Sequence, residues 1–148
     1  MKQGESTLAL SAVVLDTNAV LDWLVFQDAG MASLSKAIEQ GEVRWIASPR
    51  MREELQRSLS YPSLARWPSN SEHTLATFDR WAWCCPEPEP TRAGHFICSD
   101  PNDQVFIDLA LAQQARWLVT HDRALRKLAR RAALVGLRIL TPKDWPGP

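Results

Sequence analysis

Apolar positions along the chain fall alternately into short dense runs and into repeats three or four residues apart. This alternation predicts a succession of strands and helices. Val13-Val14-Leu15 suits a buried strand and leads straight into Asp16-Thr17-Asn18. A short helix over Ala19 to Phe26 follows, apolar except at Asp22, with Thr17 or Asn18 available as its cap. Met31, Leu34 and Ile38 recur at helical spacing up to Gly41, a helix stop, and Val43 to Ala47 reads as a second strand. Ser48-Pro49 offers a cap and a first-turn proline for a helix reaching about Ser60, with Met51, Leu55 and Leu59 as its inner stripe. Tyr61 to Asn70, which contains Trp67, reads as a loop. Ser71 then caps a helix whose inward side is Leu75, Phe78 and Ala82, and Trp81 and Trp83 are assigned to packing. Proline alternating with glutamate from Pro86 to Pro90 makes an exposed, stiff connector. His95 to Cys98 is a brief apolar approach to Ser99-Asp100-Pro101-Asn102-Asp103, and Val105, Phe106, Leu109 and Ala112 mark the next helix. Trp117 to Val119 is a strand ending in Thr120-His121-Asp122. One further helix turns Leu125, Leu128, Ala129 and Ala132 inward, and Leu137 to Leu140 completes the pattern before Thr141-Pro142.

Strands that alternate with helices imply a single-domain three-layer α/β/α fold with a mainly parallel central sheet. The domain is expected over residues 8–145, with flexible termini at 1–7 and 146–148. A chain of 148 residues is long enough for one real core and too short for two. No run is long and apolar enough for a bilayer, and the run from Leu8 to Leu15 ends in Asp16 without a small-residue cleavage signal, so no membrane partner and a cytoplasmic location are expected. Lys plus Arg number 17 and so do Asp plus Glu, which leaves only local arguments for nucleic-acid binding. The one local concentration is Arg123, Arg126, Lys127, Arg130 and Arg131, at helical spacing. It reads either as a solvated face or as a holder of phosphates or an acidic partner. Cys84, Cys85 and Cys98 fit reduced thiols; with His95 they lack the two separated Cys-x-x-Cys knuckles of a zinc site.

The chemistry is expected of the acids. Asp16 and Asp122 each stand at the carboxyl end of a strand, where side chains of an open α/β sheet reach the ligand crevice. Capping the next helix is the alternative reading of such an acid. Asp100 followed by Pro101 is likewise a cap and first-turn pair, yet Asp103 brings more negative charge than that cap requires. On the helix after Ser48, Glu53 points away from the apolar stripe, whereas Glu54 lies at its edge and can lean toward a cleft or remain a solvated charge. Carboxylates brought together raise one another's pKa unless a cation neutralises them, and oxygen-only ligands point to Mg²⁺ or Mn²⁺. Phosphodiester hydrolysis is the natural chemistry of such a centre.

Leu15-Asp16-Thr17-Asn18, Ser48-Pro49 with Glu54-Leu55, Asp100-Pro101-Asn102-Asp103 and Leu118-Val119-Thr120-His121-Asp122 together resemble a PIN domain. More narrowly, they are similar to the branch of toxin components of bacterial toxin-antitoxin systems. The resemblance runs from about Val13 to Pro142 and keeps the order of the motifs. It implies a Mg²⁺- or Mn²⁺-dependent endoribonuclease, a protein antitoxin as partner, and a homodimer. Position by position, it implies that Asp16, Glu54, Asp103 and Asp122 are the metal-binding acids, with Asp100 as the lesser candidate for the third place. Asn18 and Thr120 would position ligands or water, and Arg123, Arg126, Lys127 and Arg130 are the candidates for RNA phosphates. His121 departs from the glycine usual in that branch and reads as a surface imidazole.

Two other readings remain. Asp16 could be a phosphoryl-transfer nucleophile, although such domains carry a second acid two residues on, where this chain has Asn18, or a strand-end lysine, which it lacks. The chain could instead be a catalytically idle interaction module that uses its Trp-rich and basic surfaces.

Overall fold

The computed structural model describes residues 10–65, 70–90 and 96–148. Met1 to Ser6, the start of the domain at residue 8, Trp67 and His95 lie outside the described residues. Five strands form one all-parallel sheet: β1 (Ala12–Leu15), β2 (Arg44–Ala47), β3 (Trp83–Cys84), β4 (Trp117–Val119) and β5 (Arg138–Leu140), in the order β3-β2-β1-β4-β5. The helices are α1 (Thr17–Leu24), α2 (Ala32–Glu39), α3 (Pro49–Leu59), α4 (Ser71–Trp81), α5 (Gln104–Ala112), α6 (Arg123–Arg126) and α7 (Ala129–Ala133). From β1 the chain winds outward to β2 and β3, then returns across the sheet to β4 and β5. The direction therefore reverses between β1 and β4, and right-handed crossovers put α1 to α4 on one face and α5 to α7 on the other.

The central strands are apolar throughout because both faces are covered; Val13, Val14, Trp117, Leu118 and Val119 have no exposed surface. Val13 shares one rung with Trp45 and Trp117. Trp45 meets Phe78 edge-on at 4.9 Å and lies 5.2 Å from Trp23, while Trp117 meets Trp145 edge-on at 5.5 Å. At the end of α2, Gly41 adopts φ +73°. This lets the Gly41 and Glu42 amides bond back to the carbonyls of Ile38 and Ala37 and close the helix.

Several sequence expectations need correction. Trp81 and Trp83 pack against the core as expected, but Trp83 does so from an edge strand, β3, which it forms with Cys84; the Arg44 guanidinium lies 5.6 Å from the Trp83 ring centre. The cap of α4 is Asn70, whose side chain accepts from the His73 amide, and Ser71 is the first helical residue. Inward positions on α4 are Thr74 and Phe78, with Leu75 and Ala82 only half-buried. On α5, Ala112 is exposed and the buried face is Phe106 to Ala110. The single helix expected after Asp122 is two, because at Lys127-Leu128 the bonding tightens to Leu128 N–H donating to Leu125 C=O, which turns both leucines into the core. Among the described residues no helix is long and apolar enough to cross a membrane.

Trp117 is fully buried, yet its indole N–H has no acceptor among the described residues. Trp117→Ala should cost roughly 3–5 kcal/mol in urea unfolding, whereas Trp117→Phe, which keeps most of the volume and removes an unpaired donor, should cost less than about 1.5 kcal/mol.

Candidate metal centre

Reversal of the winding direction opens a crevice at the carboxyl ends of β1 and β4; Asp16 and Asp122 come from the segments that leave those strands, and Asp100 and Asp103 from the turn that leads into α5. Asp16 follows β1 and is 4% exposed. Its Oδ1 accepts the Ala19 amide at 2.8 Å, capping α1, and its Oδ2 accepts the Thr120 hydroxyl. The Thr120 Oγ1 in turn accepts the Asp122 amide at 2.9 Å, so one hydroxyl ties together the ends of the two central strands. Asp122 caps α6 through the Ala124 amide at 2.7 Å, and Asp100 caps the 3-10 turn Pro101–Asp103 through the Asn102 amide at 3.0 Å. Capping and convergence therefore hold together: the caps fix one oxygen each of Asp16, Asp100 and Asp122, while Asp103 makes no capping bond.

Asp100, Asp103 and Asp122 bring one carboxylate oxygen each within 4.8 Å of one another. Asp103 lies deepest in conflict. Its Oδ2 is buried and, when ionised, faces no donor among the described residues. Burial first, then the hydrogen bond a protonated Asp103 gives Asp122, then the charges of Asp122, Asp100 and Asp16 push its pKa up to about 7. Asp16 is also raised, to about 6, by burial; the bonds from Thr120 and Ala19 and the nearby His121 oppose that rise, and Asp122 adds to it. A buried oxygen without a donor beside two other carboxylates fits a hard divalent cation.

The segment carrying Asp100 is pinned by Gln104 at the start of α5. Its side chain accepts from the Cys98 amide at 2.7 Å and donates to the Phe96 carbonyl and to Asp108 Oδ1, both at 2.9 Å. Cys98 is buried beside these acids. Burial raises its thiol pKa, opposed by the Asp100 amide and assisted by Asp103, Asp122 and Asp100.

Glu54 is not one of the three acids that meet within 4.8 Å. It is half-buried on α3, and its carboxylate is held by Arg57 at 2.5 Å. Asn18 is exposed in the first turn of α1. Three further residues take roles that the sequence pattern does not assign them. Ser48, at the end of β2, reads as a cap, yet it makes no side-chain cap bond; its hydroxyl is buried without a partner among the described residues. Continuing the β1–β2 register sets it opposite Asp16. Asp22, the one acid on apolar α1, pairs with His121 at 3.4 Å, and the imidazole opposes the burial that raises its pKa. Polar breaks in apolar runs were the available signals for both. Gln104 had none, since its role depends on the loop that it pins.

A family profile described as a PIN domain matches residues 12–124. The chain belongs to the PIN domain family. Among solved structures, this PIN domain is similar to a crystal structure of VapBC2 from Rickettsia felis bound to a DNA fragment from their promoter. The TM-score is 0.56 at 14% identity, over 86% of this chain and 96% of that one. At that identity the likeness is one of fold. No curated protein matches the sequence.

With Asp16 and Asp103 raised in the folded state from the ordinary 3.8, folding favours their protonated forms. The stability this confers is fully present below about pH 4 and is lost as pH rises through 6 to 7. In EDTA the protein should therefore melt lower at pH 8 than at pH 5. Asp103→Asn should raise the pH 8 melting temperature by a few degrees and flatten the trend. A wild-type melting temperature that climbs with pH in EDTA would contradict the crowding of these carboxylates.

Proposed function

We propose that this PIN domain is a Mg²⁺- or Mn²⁺-dependent endoribonuclease, the toxin of a toxin-antitoxin pair. One observation carries the reading: Asp100, Asp103 and Asp122 converge within 4.8 Å while Thr120 ties Asp16 to the same crevice. PIN domains are generally nucleases, and four acids meeting at the switch point of a parallel sheet suit that chemistry. Asp16, Asp103 and Asp122, with Asp100 beside them, would hold the ion. When bound, it supplies a water of lowered pKa and neutralises charge on the phosphate.

The chain's own residues supply the rest. Thr120 fixes the rotamer of Asp16, and the caps on Ala19, Asn102 and Ala124 fix the directions of three acids before any ligand arrives. Asn18, exposed in the first turn of α1, is proposed to orient the substrate or its attacking water. Glu54 is proposed as the remaining ligand, in which case its carboxylate must leave Arg57. Arg123, Arg126, Lys127 and Arg130 are proposed to hold RNA phosphates. An antitoxin would bind the protein and block the crevice, and a homodimer is the proposed assembly. Two findings weigh against Asp16 as a phosphoryl-accepting nucleophile: both its oxygens already accept hydrogen bonds, and its pKa is raised.

Asp16→Asn and Asp122→Asn should each lower Mn²⁺-dependent cleavage of a labelled single-stranded RNA by at least about a hundredfold while the protein still melts cooperatively. Undiminished cleavage by either would remove the scheme. Glu54→Gln should lose about tenfold or more by the same assay, and Arg57→Ala should not; the opposite pattern would make the pair a surface feature of α3.

A further inference from the structure

Beside the acids, on the β5 side of the sheet, lies an open cavity of about 410 Å³. Arg123, Arg126 and Lys127 line one wall, and Leu140, Thr141 and Asp144 line the other. The three cations are exposed, and none has an ion-pair partner among the described residues. Asp144 is the only acid in the lining, and it already accepts the Thr141 hydroxyl at 2.8 Å. In a protein with no net charge, three unpaired cations against one engaged acid make a local positive field.

Two short links connect this groove to the acidic crevice. Arg123 follows Asp122 directly in the chain. Thr120, which bonds Asp16, donates its own amide to the Leu140 carbonyl at 2.9 Å, and Leu140 and Thr141 form the groove wall. Negative and positive surfaces thus meet edge to edge along the carboxyl ends of β4 and β5.

We infer that the Arg123–Arg126–Lys127 groove is a polynucleotide backbone site, which holds phosphates that flank the one presented to the acids. The inference rests on the ribonuclease reading for the identity of the strand and deepens it by giving the strand a direction, from the acids across α6 toward β5. A volume of this size suits a nucleotide unit better than a lone anion. Arg130 and Arg131 do not line the groove, which separates this site from a diffuse basic helix face.

The test reads binding, with cleavage switched off. Fluorescence anisotropy of a labelled ten-nucleotide single-stranded RNA would be measured in EDTA across a salt series. The comparison is between wild type, the double variant Arg126→Ala/Lys127→Ala, and the charge-matched double variant Lys36→Ala/Arg138→Ala, whose two exposed cations lie outside the groove lining. Removing two phosphate contacts to a single strand should flatten the slope of log affinity against log salt by about 1.4 and weaken binding at least about tenfold. The charge-matched variant should retain the wild-type slope. Equal losses in both variants, or none in either, overturn the inference. As a measurement that needs no variant, amide shifts of the wild-type protein on RNA addition should cluster at residues 123–127 and 140–144; shifts elsewhere count against the groove. Tighter binding of polyglutamate than of the RNA would assign the groove to an acidic protein segment and overturn it. Groove-dependent RNA binding without cleavage in Mn²⁺ would leave the site standing and remove the ribonuclease reading. Cleavage with groove-independent binding would do the reverse.

Discussion

The Thr120 hydroxyl is the hinge of the molecule's chemistry. It donates to Asp16 at the end of β1 and accepts the Asp122 amide beyond β4, so it joins the two strands between which the sheet reverses direction. Thr120 has no exposed surface, and its position is dictated by the parallel pairing of Leu15 with Val119. Without a donor there, a buried Asp16 would keep only the Ala19 amide, and the energetic cost of its charge would rise further. The geometry of the crevice thus follows from strand register and one hydrogen-bonded residue.

The same acids serve two purposes. Asp16, Asp100 and Asp122 each accept a backbone amide at the start of the turn or helix that follows, which satisfies a donor that the first turn leaves open. This local bond orients the carboxylate without help from distant parts of the chain. Asp103 has no such bond, and it is the acid whose charge is most strongly opposed by its surroundings. A cluster built this way is held open by its caps and held in tension by its charges, the condition in which a cation gains most by entering.

Much of this was legible in the residues. Dense apolar runs at Val13-Val14-Leu15 and Trp117-Leu118-Val119, each ending in a hydroxyl and an acid, announce buried parallel strands and a shared edge. The short edge strand β3 was not legible, since two residues after a helix carry no periodicity, and Trp83 owes its place to pairing with Ile46. Nor was the division between α6 and α7, because the leucine spacing satisfies a continuous helix equally well. Ser48 shows a limit of another kind: its place before Pro49 marks a helix start, and only the tertiary structure reveals that its hydroxyl is left unpaired beside the crevice. Glu54 is visible in the sequence as an edge residue of α3, but an edge position does not reveal that Arg57, one turn on, takes hold of its carboxylate.

The rung shared by Trp45, Val13 and Trp117 gives the protein a built-in optical gauge. Both indoles are shut off from water, one against Trp23 and Phe78 and the other against Trp145. Among the seven tryptophans these two carry the signal of the sheet's middle, where loss of packing would shift their share of the fluorescence toward the red. Trp145 belongs to the last segment of the chain, so the same signal registers whether the carboxyl terminus remains docked on the strand that leads to Asp122.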